Sequence, residues 1–299
     1  MITGKTKLLG VIGHPVEHSL SPVMHNAALA SLKLDYVYLP LPVKPEDLAS
    51  ALKGFAAIGL AGFNITIPHK QAILPLLSTV SPVASAVGAV NTVWRTDEGW
   101  AGTNTDVEGF IAPLLKMGRW EDGEMGENER QNWSEKIAVI LGNGGAARAV
   151  VAGTHQLGFR EIYVVGRNGL KLEEFRDSWS NSSFNVNLRI QTWEKLPDLI
   201  ASSDLLVNTT PVGMYPHGEN SPLSLDEISL LPKRAIAYDL IYTPRPTRFL
   251  QQAEQQGASA IDGLEMLVQQ GAAALKIWLQ QPAPVDIMRS SLLQHLSKQ

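Results

Sequence analysis

Three clusters of polar residues follow short apolar runs and carry the side chains that could do chemistry. The first is Asn64-Ile65-Thr66-Ile67-Pro68-His69-Lys70, where the β-rich run Gly62 to Ile65 passes into a helix start. Asn64, Thr66 and Lys70 then stand at the C-terminal end of a parallel strand, where open α/β sheets place ligands. A lysine there can donate a proton or stabilise charge on a reacting oxygen, although most lysines at helix starts are simply solvated. The second cluster is Gly102-Thr103-Asn104-Thr105-Asp106. Asp106 can pair with Lys70, or it can cap the helix expected over Val107 to Met117, a role worth about 1 kcal/mol. Capping alone does not explain why Asn, Thr and Asp crowd one strand end. Asn91, before the run Thr92-Val93, is either a further ligand or a strand-edge turn residue. The third cluster runs from His14 to Pro22. Ser19 and Ser21 can hold a carboxylate at the helix start that follows, and Ser21 before Pro22 also reads as a helix cap. His14 and His18 lack a second ligand cluster at metal spacing, so no metal is expected.

A fourth motif binds rather than reacts. Gly142-Asn143-Gly144-Gly145-Ala146-Ala147 follows the apolar run Ile137 to Leu141 and opens a helix. It fits the dinucleotide fingerprint in its strand–turn–helix setting. Gly142 permits the tight turn, Gly144 lets the backbone approach a pyrophosphate, and Ala147 lets the helix pack on the strand. The helix start, from Gly145 and Ala146, offers unpaired N–H groups to the anion. An NAD site usually places Asp or Glu at the end of the next strand. Here that strand ends in Val165-Gly166-Arg167-Asn168. Arg167, with Lys171 one turn on, suits a 2′-phosphate, so NADP is favoured over NAD.

The elements that must position these groups alternate. Runs at Leu8 to Ile12, Tyr36 to Leu41 and Gly62 to Ile65 read as strands, with helices over Pro22 to Leu32 and Pro45 to Ala57. After a polar, acidic stretch, Gly118 to Lys136, read as a flexible insertion, the alternation restarts. Strands are expected at Ile137 to Leu141, Glu161 to Val165, Leu205 to Val207 and Ala235 to Asp239. Helices are expected at Ala146 to Leu157, Leu170 to Trp179, Gly263 to Leu279 and Val285 to Leu296. The pattern implies an α/β protein with mostly parallel sheets. At 299 residues two domains are expected. The net charge of −4 argues against nucleic acid. The absence of cysteine excludes disulfides and thiolate chemistry and fits a reducing compartment. No signal peptide or membrane span is expected, and a cytoplasmic enzyme is the default.

Taken in order, these blocks resemble the shikimate dehydrogenase family. They are Gly13-His14-Pro15 to Pro22, Asn64 to Lys70, Gly88-Ala89-Val90-Asn91-Thr92, Asn104-Thr105-Asp106 and Gly142 to Ala146. Further on come Asn208-Thr209-Thr210-Pro211-Val212-Gly213-Met214, Asp239-Leu240-Ile241-Tyr242-Thr243-Pro244 and Asp262-Gly263-Leu264-Glu265-Met266-Leu267. The resemblance covers nearly the whole chain. It implies a substrate domain of residues 1–112, rejoined by 264–299, and a Rossmann-type NADP domain of 113–263, with a cleft between them and the acidic insertion at 118–135. It also implies reversible, NADPH-dependent reduction of 3-dehydroshikimate to shikimate, a step of aromatic amino-acid biosynthesis. Lys70 and Asp106 would be the catalytic pair. Ser19, Ser21, Thr66, Asn64, Asn91, Tyr242 and Gln270 would contact substrate. Gly142, Gly144, Gly145, Ala146, Arg167, Asn168, Lys171, Asn208, Thr209, Gly263 and Met266 would contact the cofactor, and a homodimer is a possible assembly. Asn143 and the Gly166-Arg167-Asn168 turn depart from the family's usual residues and leave the cofactor preference open to test. The rival readings are a quinate or dual quinate/shikimate dehydrogenase using NAD, a methylenetetrahydrofolate dehydrogenase-like enzyme, and a non-catalytic sensor.

Overall fold

The computed structural model describes residues 2–117, 132–180, 182 and 184–298. They form two compact units, residues 1–109 with 267–299, and residues 110–266. No helix among the described residues is long and apolar enough to cross a membrane.

The first unit begins with β1 (Lys7–Gly13), α1 (Ser21–Ser31), β2 (Tyr36–Pro42), α2 (Leu48–Ala57), β3 (Gly62–Ile65) and α3 (His69–Ala72). β4 (Thr79–Val80), α4 (Pro82–Val87), β5 (Thr92–Thr96), β6 (Gly99–Thr103) and α5 (Asp106–Met117) follow. The sheet order is β2-β1-β3-β5-β6-β4. β1 pairs in parallel with β2 and β3, whereas β5 runs antiparallel to both β3 and β6. Every residue of β3 is buried, because helices cover both faces of the parallel part. The β5–β6 hairpin is invisible to a search for apolar runs, since Arg95, Thr96, Asp97 and Glu98 interrupt it. It matters for position: Asn64 faces Thr92 across one strand pair, and Thr92 faces Thr103 across the next. The unit's core gathers Ile12, Leu52, Phe63, Ile65, Val93 and Trp100.

The second unit contains β7 (Ile137–Leu141), α6 (Gly145–Leu157), β8 (Glu161–Gly166), α7 (Gly169–Ser180), β9 (Leu188–Thr192) and α8 (Leu196–Ser202). It continues through β10 (Leu205–Asn208), α9 (Leu225–Ile228), β11 (Ile236–Asp239), α10 (Arg248–Gln255) and β12 (Ser259–Ile261). The order β12-β11-β10-β7-β8-β9 is parallel throughout and is the doubly wound arrangement. Edge strands β9 and β12 escape a sequence reading because they are short and only partly buried. Of the acidic stretch, 118–131 lies outside the described residues. The expectation that it is flexible as far as Lys136 fails at its end: Trp133 is buried and stacks on Phe159 with ring centroids 4.8 Å apart. Its large apolar ring gains more from burial than the polar neighbours lose.

The chain passes between units within α5 and returns within α11 (Gly263–Leu279), which leads to α12 (Val285–Leu296). In the first unit the Trp278 indole N–H donates to the Val93 carbonyl at 2.9 Å. Gly62 makes room for that ring, since a Cβ there would collide with the indole and lie 2.8 Å from the Val93 oxygen. We expect Gly62→Ala to lower stability by about 1–3 kcal/mol, the usual cost of overpacking, seen as a fall in Tm. An unchanged Tm would mean that α11 does not press on β3.

In the second unit Asp239 is fully buried. Its carboxylate accepts from Asn208 Nδ2 at 3.0 Å, Ile241 N at 3.1 Å and Thr247 Oγ1 at 2.7 Å. Burial outweighs these donors and pushes its pKa up to about 6. Between pH 4 and 6 the folded state therefore keeps a proton that the unfolded chain releases, and stability falls as pH rises through that window. Unfolding curves should show Asp239→Asn losing less stability than the parent over this interval. Parallel curves would show that Asp239 is already ionised there.

Candidate active site

The chemistry of the first unit depends on three chain segments meeting at one end of its sheet. Lys70 lies in α3, one residue after His69, whose ring is buried with Nε2 2.7 Å from the Val43 carbonyl. The Lys70 carbonyl accepts from Val90 N at 2.8 Å, which ties α3 to the start of β5. The Lys70 ammonium donates to Asp106 Oδ2 at 2.6 Å, with side-chain exposures of 24% and 13%. Asp106 is the first residue of α5 and an acid of its first turn, as the helix-end reading expects; its N–H donates to Asn104 Oδ1 at 3.0 Å, and its carboxylate also faces Lys70.

Asn91 holds the other oxygen of that carboxylate. Its Nδ2 donates to Asp106 Oδ1 at 2.8 Å, and its Oδ1 accepts from Thr105 N at 2.7 Å. The amide's orientation follows from chemistry alone: a backbone N–H can only donate and an ionised carboxylate can only accept. Asn91 Nδ2 also reaches Thr105 Oγ1 at 3.1 Å and Gln270 Oε1 at 3.4 Å. Gln270, on α11, is buried and donates to the Leu267 carbonyl at 2.9 Å. The structure thus gathers Lys70, Asp106, Asn91 and Gln270 into one hydrogen-bonded set.

Asn64 continues the set on its other side. Its Nδ2 donates to the Asn91 carbonyl at 3.1 Å and to Thr92 Oγ1 at 3.0 Å. Its Oδ1 accepts from the Tyr38 hydroxyl at 2.7 Å. Burial holds the Tyr38 phenol well above its ordinary pKa, so it stays a donor. Behind it the His25 ring stacks at 4.3 Å, kept neutral by burial that pushes its pKa down to about 3. Neither ring nitrogen of His25 has a hydrogen-bond partner. Ser21 opens α1, and its N–H donates to Ser19 Oγ at 3.3 Å. Ser21 is not the cap expected from sequence. Leu20 occupies the cap position in a helical conformation, and no side chain caps the helix. The Ser21 hydroxyl is thereby left out of capping. Thr66 is half-buried between β3 and α3, its backbone N–H held by the Ile12 carbonyl at 2.9 Å. Tyr38, Thr92, Asn104 and Thr105 carry no charge and sit in or beside apolar runs; only their place next to the other polar clusters hinted at a part.

In the second unit the glycine loop lies where strand order reverses, between β7 and β10. Gly142 adopts φ 102°, and a Cβ there would come within 2.8 Å of Thr209 Oγ1. Thr209 closes the turn, with both its N–H and its hydroxyl donating to the Leu141 carbonyl, at 3.0 and 2.7 Å. Gly144 and Gly145 are exposed with open space where a Cβ would stand, and no side chain caps α6. This is a backbone cradle of the kind a pyrophosphate needs. Ala146 follows in the first helical turn. Arg167, Asn168 and Lys171 are exposed at the β8–α7 turn beside it, where Asn168 Oδ1 accepts from Lys171 N at 3.1 Å. Asn208 differs from the other cofactor candidates. It is fully buried, and its amide is spent on Asp239, Thr210 and the Val212 carbonyl, so it shapes the loop from within. Tyr242 is half-buried, which raises its phenol pKa. Gly263 has no room for a side chain against the Leu240 carbonyl, and Met266 lies one turn further along α11. Among the described residues no cluster of three His, Asp or Glu could hold a metal.

Residues 11–93 match the model of the shikimate dehydrogenase substrate binding domain, and 263–293 that of the shikimate 5'-dehydrogenase C-terminal domain. The chain is 65% identical over 297 residues, 99% of each chain, to a shikimate dehydrogenase (NADP(+)) of Trichormus variabilis. It superposes on shikimate 5-dehydrogenase of Thermus thermophilus, solved with NADP(H) and shikimate, with TM-score 0.81 and 34% identity over 97% and 99% of the two chains. It also superposes on a quinate dehydrogenase of Corynebacterium glutamicum, solved with NAD, with TM-score 0.84 and 29% identity over 97% and 99%. A chain with this pair of sheets, this polar set and 65% identity along its length to a shikimate dehydrogenase belongs to the shikimate dehydrogenase family.

Proposed function

We propose that this protein catalyses the reversible, NADPH-dependent reduction of 3-dehydroshikimate to shikimate, a step of aromatic amino-acid biosynthesis. The observation that carries the reading is the Lys70–Asp106 contact of 2.6 Å inside a buried set of amides and hydroxyls. Such a set suits a small polyhydroxylated ring with one reacting oxygen. The first unit would hold the substrate and the second NADP. Ser19 and Ser21 would hold the carboxylate, with Thr66 nearby. Asn64, Asn91, Asp106 and Gln270 would meet the ring hydroxyls. Lys70 would donate a hydrogen bond to the ketone oxygen, stabilise the charge that grows there and deliver the proton. Asp106 would keep the ammonium aimed at that oxygen.

NADPH, when bound, supplies the hydride. The open cradle at Gly142, Gly144, Gly145 and Ala146 fits its pyrophosphate, and exposed Arg167 and Lys171 fit a 2′-phosphate. Thr209 supports the glycine turn. Gly263 and Met266, with Tyr242, are assigned to the nicotinamide end. The NAD-linked quinate reading is disfavoured, because β8 ends in Gly166 followed by Arg167 and Asn168, with no acid to bind a ribose diol. The sensor reading is disfavoured by the intact Lys70–Asp106 pair. We extend the proposal to a cytoplasmic homodimer. The absence of cysteine supports the compartment, and exposed Leu39 and Ile58 offer apolar surface to a second copy.

The test is a matrix of shikimate and quinate against NADP and NAD, followed by NADPH absorbance. Shikimate with NADP should be the best pair by a wide margin. Arg167→Ala should raise KM for NADP about 10–100-fold, the worth of a charged hydrogen bond, and leave KM for NAD nearly unchanged. Quinate with NAD as the best pair would overturn the reading, and equal losses for both cofactors would remove Arg167 from phosphate recognition.

A further inference from the structure

Thr92 has no part in the reading above, yet it bonds to both halves of the polar set. It opens β5 and is fully buried. Its hydroxyl lies 3.0 Å from Asn64 Nδ2, 3.0 Å from Asn91 Oδ1 and 3.0 Å from Thr105 Oγ1. A hydroxyl offers one proton and two lone pairs, so three partners use all of it. Asn64 Nδ2 must be a donor, because it also faces the Asn91 carbonyl, which only accepts. Thr92 therefore accepts from Asn64 and gives its own proton to Asn91 Oδ1 or to Thr105 Oγ1. Either choice leaves Asn64 in one orientation, with both amide protons spent. Asn64 Oδ1 accepts from the Tyr38 hydroxyl and is the acceptor side of that amide.

We propose that Thr92 is a positioning residue: it holds the second N–H of the Asn64 amide, whose orientation the Asn91 carbonyl sets, and couples that amide to the chain Asn91–Asp106–Lys70. The inference rests on the shikimate dehydrogenase reading and deepens it. A hydroxyl can donate to Asn64, whereas a carbonyl oxygen cannot and meets only an acceptor there. The Lys70 ammonium has the opposite polarity. The site thus sorts the oxygens of its substrate, hydroxyl toward Asn64 and ketone toward Lys70. Without the Thr92 hydroxyl, one Asn64 N–H loses its partner and the amide is freer to turn. Strand β5 itself asks only for a β-branched side chain at this position. Val would satisfy the strand and leave one Asn64 N–H without its partner.

The experiment compares Thr92→Val, Thr92→Ala and Thr92→Ser with the parent in steady-state kinetics with shikimate and NADP. Losing one buried hydrogen bond should raise KM for shikimate about tenfold or more in the Val and Ala variants. kcat should fall less than KM rises, because Asp106 keeps Lys70, Asn91 and Asn104. KM for NADP should stay within about twofold, and Thr92→Ser should return KM for shikimate to within about threefold of the parent. If Thr92→Val fails to fold, Thr92→Ala carries the same comparison. An unchanged KM for shikimate, a Ser variant as impaired as the Val variant, or a matching rise in KM for NADP would overturn the proposal. An inactive parent would remove the functional reading and this inference with it, whereas an active parent with unperturbed variants would remove the inference alone.

Discussion

The contact between the Lys70 ammonium and the Asp106 carboxylate is the constraint on which the first unit is organised. Partly buried charges are costly unless they are paired and hydrogen-bonded. The pair lies 2.6 Å apart, and the second carboxylate oxygen is taken by Asn91. Bringing these groups together needs the end of β3, the start of β5 and the turn from β6 into α5 at one place. The sheet order β3-β5-β6 delivers that, with Asn64 facing Thr92 and Thr92 facing Thr103. Every amide in the set then has its orientation dictated by a group that can only donate or only accept. Such a network favours a single arrangement, because any flip leaves a buried polar atom unpaired.

The second unit meets a different requirement by similar means. A dianionic pyrophosphate is held by backbone N–H groups rather than side chains, so the sequence must remove side chains instead of adding them. The positive φ of Gly142 and the open positions at Gly144 and Gly145 leave bare backbone at the point where strand order reverses, the form such a site would need. Beside them the buried Asp239 carboxyl accepts from Asn208 and Thr247. In the first unit the polar set gathers where β3 and β6 end and antiparallel β5 begins, and in the second the glycine loop follows the end of β7, while the apolar runs that form those strands carry the stability.

Much of this is legible in the amino-acid sequence. Strands β1, β3, β7 and β8 are apolar runs, and the glycine loop has a pattern that depends on local spacing. Lys70 and Asp106 stand in polar clusters at strand ends, and the family resemblance is what implies roles for them and for Asn91. What could not be read was anything that depends on pairing across the sheet. The β5–β6 hairpin has a charged turn and too little alternation to register. Thr92, Thr105 and Tyr38 are unremarkable alone, and only the strand register puts their hydroxyls against Asn64 and Asn91. Ser21 read as a cap because its neighbours are right for one, but the helix starts a residue earlier and releases its hydroxyl. Trp133 read as part of a loose acidic stretch because composition averages hide a single buried ring.

The central claim is that Lys70 acts on the reacting oxygen rather than merely tethering Asp106. The direct measurement is kcat for shikimate oxidation beside the dissociation constant of shikimate, in Lys70→Ala and in the parent. Loss of a group that handles the proton should lower kcat by about 10²–10⁴-fold while shikimate still binds through Asp106, the asparagines and the serines. A variant that keeps near-parental kcat and loses only affinity would place Lys70 among the binding groups and contradict the account.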